Sequence, residues 1–136
     1  MQIQPYLFFD GRCEEALDFY KKAIGAEVTS LMRWKEAPEP QDASMVPPGS
    51  ENKIMHTSFR VGQTEVLASD GHCAGKPNFQ GFSLTIQVAN EAEATKLFTA
   101  LGEGGEVRMP LAKTFFSPCF GMLGDKFGVG WMVWVA

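Results

Sequence analysis

Thr114-Phe115-Phe116-Ser117-Pro118-Cys119-Phe120-Gly121-Met122-Leu123-Gly124-Asp125-Lys126-Phe127-Gly128-Val129-Gly130-Trp131-Met132-Val133-Trp134-Val135 holds more apolar area around fewer turn residues than any other part of the chain. Apolar residues flank Asp125-Lys126-Phe127-Gly128, where Asp can bond its own backbone two residues on and Gly tolerates positive φ. The stretch predicts a β-hairpin with Val129–Val135 as its second strand.

Working outward, Glu106–Met109 predicts a short strand before that hairpin. Asn90-Glu91-Ala92-Glu93 is a capping-box pattern opening a helix whose buried stripe is Ala94, Leu97, Phe98 and Leu101. Gly102, Gly104 and Gly105 end that helix, and Phe82–Val88 predicts the strand before it. The first half of the chain repeats the pattern. Ile3–Phe9 predicts a strand, with Pro5 tolerable near its start. Cys13–Ile24 then has helical spacing of Cys13, Ala16, Leu17, Tyr20, Ala23 and Ile24; Glu14 and Glu15 begin it, Lys21 and Lys22 end it, and Gly25 stops it. Glu27–Trp34 predicts a strand. Lys35–Lys53 predicts a long loop that could cover a cavity or a partner. Ile54–Val61 and Thr64–Ser69 predict a tight hairpin about Gly62-Gln63. Glu-Ala recurs at 15–16 and 93–94, and Glu-Val opens the next strand at 27–28 and 106–107. Each half reads β-α-β-β-β. Such a unit has too little core alone, so the expectation is an α+β fold of two βαβββ modules, about 1–70 and 81–136, in one domain spanning 1–136.

Composition bounds the function. The chain has 136 residues, 45% of them hydrophobic, which suits one domain with a sizeable core. Its net charge of -4, with 12 scattered Lys and Arg, argues against nucleic acid as a partner. Met1-Gln2-Ile3-Gln4 lacks a basic or apolar leader, and no apolar run is long enough for a membrane helix, so a soluble cytoplasmic protein is expected. Cys13, Cys73 and Cys119 are odd in number and far apart, which predicts reduced thiols rather than a disulfide framework or zinc knuckle.

The run Asp125-Lys126-Phe127-Gly128-Val129 with Trp131-Met132 resembles the C-terminal signature of PhnB-like proteins in the vicinal oxygen chelate (glyoxalase/bleomycin resistance/dioxygenase) superfamily. The resemblance spans most of the chain. Pro5-Tyr6-Leu7, Phe9 with Gly11, Glu15-Ala16-Leu17 with Phe19-Tyr20, His56, Ser69-Asp70, and Met109-Pro110-Leu111 leading into Thr114-Phe115 also match. The chain departs at Phe116, Gly130 and Trp134, where the family often has Trp, Pro and Asn. The resemblance implies a glyoxalase/bleomycin resistance-like fold, with paired modules forming a curved mixed sheet around a cleft, commonly in a homodimer.

The resemblance also locates the usual metal site of the superfamily, built from His and Glu on four strands. The matching positions here hold Pro5, Ala68 give or take one residue, Ser83 and Met132. No metal and no cofactor are therefore expected. His56 and His72 are the only histidines, which rules out a three-His site. Asp70-Gly71-His72-Cys73 packs carboxylate, imidazole and thiol into one turn. Cys119 has no His nearby in sequence to activate it. Arg60 and Arg108 could pair with an anionic ligand.

Alternation places Met132 and Trp134 on one face of their strand, and the match to the ligand position assigns that face to the cavity. Leu7, His56, Ser83, Thr85, Phe116, Met132 and Trp134 are the candidate ligand-binding residues, an apolar lining with hydroxyls suited to a small organic molecule. The expected function is a PhnB-like small-molecule-binding protein. The alternative is a metal-dependent lyase, isomerase or dioxygenase using displaced ligands such as His56 and Asp70.

Overall fold

A computed structural model describes residues 1–37, 49–71, 73 and 76–136. The predicted loop 35–53 falls largely outside these residues. At its start Trp34–Glu36 forms a short 3-10 turn. The chain divides into two compact units, Met1–Pro77 and Asn78–Ala136.

In the first unit, strand β1 (Tyr6–Phe8) leads into helix α1 (Cys13–Ile24), followed by β2 (Glu27–Arg33), β3 (Ile54–Val61) and β4 (Thr64–Ser69). The helix has its predicted bounds because three signals coincide. Cys13, Ala16, Leu17 and Tyr20 are buried on one stripe, acidic residues open it and lysines close it. Gly25, at φ 69°, takes the left-handed turn that lets Ala26 N–H close on the Tyr20 carbonyl at 3.2 Å. The strands form a sheet in the order β1-β4-β3-β2, with β1 parallel to β4 and the other pairs antiparallel. β1 is shorter than the predicted Ile3–Phe9, since pairing begins at Tyr6 opposite Leu67. Pro5 has no N–H to give, and only its carbonyl joins the ladder, accepting from Leu67 N at 2.9 Å.

The second unit repeats this layout with β5 (Leu84–Val88), α2 (Glu91–Gly102), β6 (Glu106–Ala112), β7 (Phe120–Gly124) and β8 (Gly130–Val135). Its sheet order, β5-β8-β7-β6, is the first order again, with β5 parallel to β8. Asn90 caps α2 by accepting Glu93 N–H at 2.9 Å. The reciprocal arm differs from the predicted box: the Glu93 carboxylate reaches Ala89 N at 3.4 Å. β6 runs three residues past the predicted Met109, because on an edge strand Pro110 is tolerated at a register shift between Met109 and Ala112.

The predicted hairpin is β7 and β8, paired from Gly124 opposite Gly130 to Phe120 opposite Trp134. Between them Gly128 N–H closes on the Asp125 carbonyl and Asp125 N–H on the Val129 carbonyl, both at 2.9 Å.

One face of each sheet is covered by its own helix. In the first unit Tyr20 stacks on Phe59 with ring centroids 5.8 Å apart, and Val66, Ala68 and Leu7 are buried on that same face. In the second, a Cβ on Gly121 would meet the Phe98 ring of α2, so the row containing Gly121 and Val133 faces the helix, with Trp131 and Val135 buried beside it. The other face of each sheet is left open within its unit.

Candidate functional site

The open face of the first sheet is set by alternation. On β3 it presents His56, Ser58 and Arg60; on β1, Tyr6 and Phe8; on β2, Met32 opposite His56 and Ser30 opposite Ser58. The Tyr6 hydroxyl lies 3.2 Å from His56 Nδ1, and the Tyr6 and Phe8 rings are 4.8 Å apart. Predicted candidate His56 is thus held in an aromatic cluster by a phenol.

Leu7 requires a correction. Expected on the cavity side, it is 1% exposed and opposes Ala68 on the helix-covered face, so Tyr6 and Phe8 take the open side.

The structure also brings together a hydroxyl cluster that the sequence does not signal. β2 shifts register between Val28 and Ser30, which lets consecutive residues reach the same partner: Thr29 Oγ1 and Ser30 Oγ each lie 2.8 Å from Ser58 Oγ. Thr29 also donates to Glu65 at 3.1 Å. The bulge is the feature that brings these groups together, and nothing in the local composition signals it. Arg60, a predicted anion partner, is instead paired with Glu27 at 2.6 Å.

On the second sheet the open face carries the row Thr85, Met132, Met122 and Met109, and beside it the row Gln87, Trp134 and Phe120. Phe116 stands edge-on to Phe120 with centroids 5.0 Å apart. The structure therefore joins Thr85 to Met132, and Phe116 through Phe120 to Trp134. Ser83 precedes β5, beside Gly130. Cavities of about 480 Å³ at Gly25, Glu27, Arg60, Gly62 and Gln63, and about 440 Å³ at Phe98, Thr99, Gly102, Glu103 and Val107, hold none of the candidate residues.

The donor set does not fit the superfamily's metal. Ala68 is buried on the helix side; its neighbour Ser69, opposite Phe8, donates no imidazole or carboxylate. Pro5, Ser83 and Met132 offer no hard anionic donor either. Among the described residues no three His, Cys, Asp or Glu side chains come together. In the Asp70–Cys73 turn, Asp70 is 1% exposed and accepts Cys13 N–H at 2.8 Å and Ile54 N–H at 2.6 Å, so each carboxylate oxygen already has a structural task. His72 lies outside the described residues.

No cysteine is prepared for nucleophilic work. Burial pushes the Cys13 thiol far up, with the Asp70 and Glu14 charges adding to it. Burial raises Cys119, helped by Glu91. Cys73 is also raised, chiefly by burial, though a hydrogen bond to Ser50 pulls the other way. Each thiol is held protonated, the unreactive form.

Comparison with known proteins matches the description of this fold. The family model for 3-demethylubiquinone-9 3-methyltransferase matches residues 1–134. The chain belongs to this PhnB-like family. Protein YjdN of Escherichia coli (strain K12) is 33% identical over 138 residues, covering 98% of this chain and 94% of YjdN. The crystal structure of PA1353 from Pseudomonas aeruginosa is 41% identical, with a TM-score of 0.84 over 99% of this chain and 97% of that one. A PhnB protein from Bacillus cereus, whose description carries the same methyltransferase name, is 30% identical with a TM-score of 0.82 over the full length of both. Family members thus share the whole chain. The wider fold extends to a glyoxalase-related enzyme from Fulvimarina pelagi (14% identity, TM-score 0.64, 100% of this chain and 88% of that one). It extends also to the fosfomycin resistance protein FosX of Listeria monocytogenes (9% identity, TM-score 0.66, 100% and 93%). The fold is that of the glyoxalase/bleomycin resistance proteins.

Proposed function

We propose that the chain binds a small organic molecule on its open sheet faces and does so without a catalytic metal. The observation that carries this reading is the row of Thr85, Met132, Met122 and Met109 beside Trp134, Phe120 and Phe116. Methionine is polarizable and adaptable, and with aromatic walls and a hydroxyl it suits a partly apolar ligand. Thr85 lies exposed at one end of this row, where it can orient a polar group.

Methyl transfer, which the family description names, has less support. The strand-to-helix turns, Phe9-Asp10-Gly11-Arg12 and Ala89-Asn90, lack the repeated glycines of a nucleotide-binding turn. Metal-assisted isomerisation or oxygenation is disfavoured by the residues at the four expected ligand positions.

We also propose a homodimer. Val107, Met109, Phe115 and Phe116 are exposed, and each sheet ends in open edge strands. A second copy is the common means of covering such features.

Native mass spectrometry of the purified protein tests all three elements. The expected result is a species of twice 15.0 kDa carrying a non-covalent organic molecule and far less than one equivalent of zinc, nickel, iron or manganese. Stoichiometric metal that disappears in His56→Ala would overturn the metal-free reading. Metal lost only in His72→Ala or Cys73→Ala would place it at the 70–73 turn. A mass of 15.0 kDa at micromolar concentration would end the dimer proposal.

A further inference from the structure

Gly124 and Gly130 oppose each other at the ends of β7 and β8. Neither has positive φ, so the backbone does not call for glycine, and glycine inside a sheet weakens it unless something must come close. Here that something is Arg108. A Cβ on Gly124 would lie 2.6 Å from Arg108 Nη2 and 2.9 Å from Cζ; one on Gly130 would lie 3.0 Å from Nη1 and 2.8 Å from Ser83 Oγ. The guanidinium is therefore seated against bare backbone on the open face, in space that any other residue pair would fill.

Two further features orient it. Arg108 is the extra residue at the register shift between Val107 and Met109, which frees its side chain from strict alternation. Glu106 accepts from Nε at 3.2 Å and fixes one edge of the plane. That is the side-chain hydrogen bond Arg108 makes among the described residues, so Nη1 and Nη2 keep donors to offer. Its side chain is 41% exposed. The Ser83 hydroxyl, on a half-buried residue at the same seat, likewise makes no side-chain hydrogen bond among the described residues. The next row on this face is Thr85, Met132 and Met122.

We propose that Arg108, with Ser83, binds the oxyanion headgroup, carboxylate or phosphate, of a small molecule whose apolar part lies on Met132 and Met122. The site deepens the binding-protein reading and rests on it. A flat seat suits a planar guanidinium, whose paired donors match the two oxygens of such a group, where a lysine would present only a point charge. Glu106 offsets part of the charge, so the site favours a headgroup with an apolar body over a free ion.

The test is a two-dimensional NMR titration of the full chain, following the Gly124 and Gly130 amides and Arg108 Nε–H. The probes are benzoate, phenyl phosphate and the neutral benzamide. Saturable shifts with either anion and none with benzamide are expected, and which anion binds more tightly names the headgroup. Half-saturation should rise by about tenfold or more in Arg108→Gln, the scale of a lost charged hydrogen bond. Gly124→Ala keeps the charge but evicts the guanidinium and should weaken binding similarly. If either variant fails to fold, Arg108→Lys, expected to bind more weakly than the wild type, replaces it. Equal shifts with benzamide, no shifts at these three reporters, or unchanged titrations in Arg108→Gln would overturn the proposal. A copurified molecule retained by Arg108→Gln would sink this site while leaving the binding function standing.

Discussion

The indole N–H of Trp131 donates to Asp125 Oδ2 at 2.9 Å across the turn that joins β7 to β8. The other oxygen, Oδ1, accepts Phe127 N–H at 2.9 Å and Val129 N–H at 3.0 Å. Asp125 is 4% exposed and Trp131 3%. One buried carboxylate thus shapes the turn and anchors the buried tryptophan of the adjoining strand.

Removing that carboxylate leaves buried donors without partners. Asp125→Ala should therefore lose about 3–5 kcal/mol of stability, since each orphaned donor costs roughly 1–3 kcal/mol. Urea unfolding reads this as a lower midpoint at unchanged slope. A loss below about 1 kcal/mol would show that water or a rearranged turn replaces the carboxylate.

Trp131→Ala should cost about 3–5 kcal/mol, the range for deleting a buried aromatic. Trp131→Phe removes mainly the indole N–H. In a double-mutant cycle with Asp125→Asn it should show a coupling of about 0.5–3 kcal/mol. Additive effects would mean the bond to Asp125 contributes nothing beyond packing.

Asp70 plays a comparable part in the first unit, tying the first residue of α1 to the first residue of β3. Asp70→Ala should cost about 2–4 kcal/mol by orphaning those two donors. Zinc added to the wild type should leave its melting temperature unchanged. A zinc-dependent rise that vanishes in Asp70→Ala would make Asp70 a ligand rather than a brace.

Some of this was open to reading from the sequence, for definite reasons. The sequence bounds of α1 match the structure because stripe, charge order and Gly25 agree, and those of β3 and β4 because Gly62-Gln63 separates two β-rich runs. The Asp125–Gly128 turn follows from side-chain chemistry within five residues. The misreadings share a different cause. The starts of β1 and β5 are set by where pairing with a distant parallel partner begins, at Leu67 and at Trp131. The face of Leu7 is set by its pairing with Ala68, and of the seven residues Ile3–Phe9 that read as a strand only three pair, too few for alternation to reveal that parity. The Thr29-Ser30-Ser58 cluster and the seat of Arg108 both depend on register shifts, which reassign faces one residue at a time. Composition showed that Arg108 exists; only pairing Gly124 with Gly130 shows where it goes.

The thiols carry a pH prediction whose sign follows from their burial. Cys13 is buried and held protonated well above the ordinary value of 9.0, with Cys119 and Cys73 raised as well. In the unfolded chain these groups ionise near their ordinary value, so above it the unfolded state binds fewer protons than the folded state. Stability is fully present below that pH and falls as pH rises through it, by up to about 1.4 kcal/mol per pH unit for each thiol that stays protonated in the fold. Urea unfolding of wild type and Cys13→Ala between about pH 8 and pH 10 isolates one thiol, because the other titrating groups are common to both proteins and cancel. The wild type should lose stability more steeply than Cys13→Ala over that interval. Parallel curves would show that Cys13 ionises in the folded protein, and the inert role assigned to it would have to be given up.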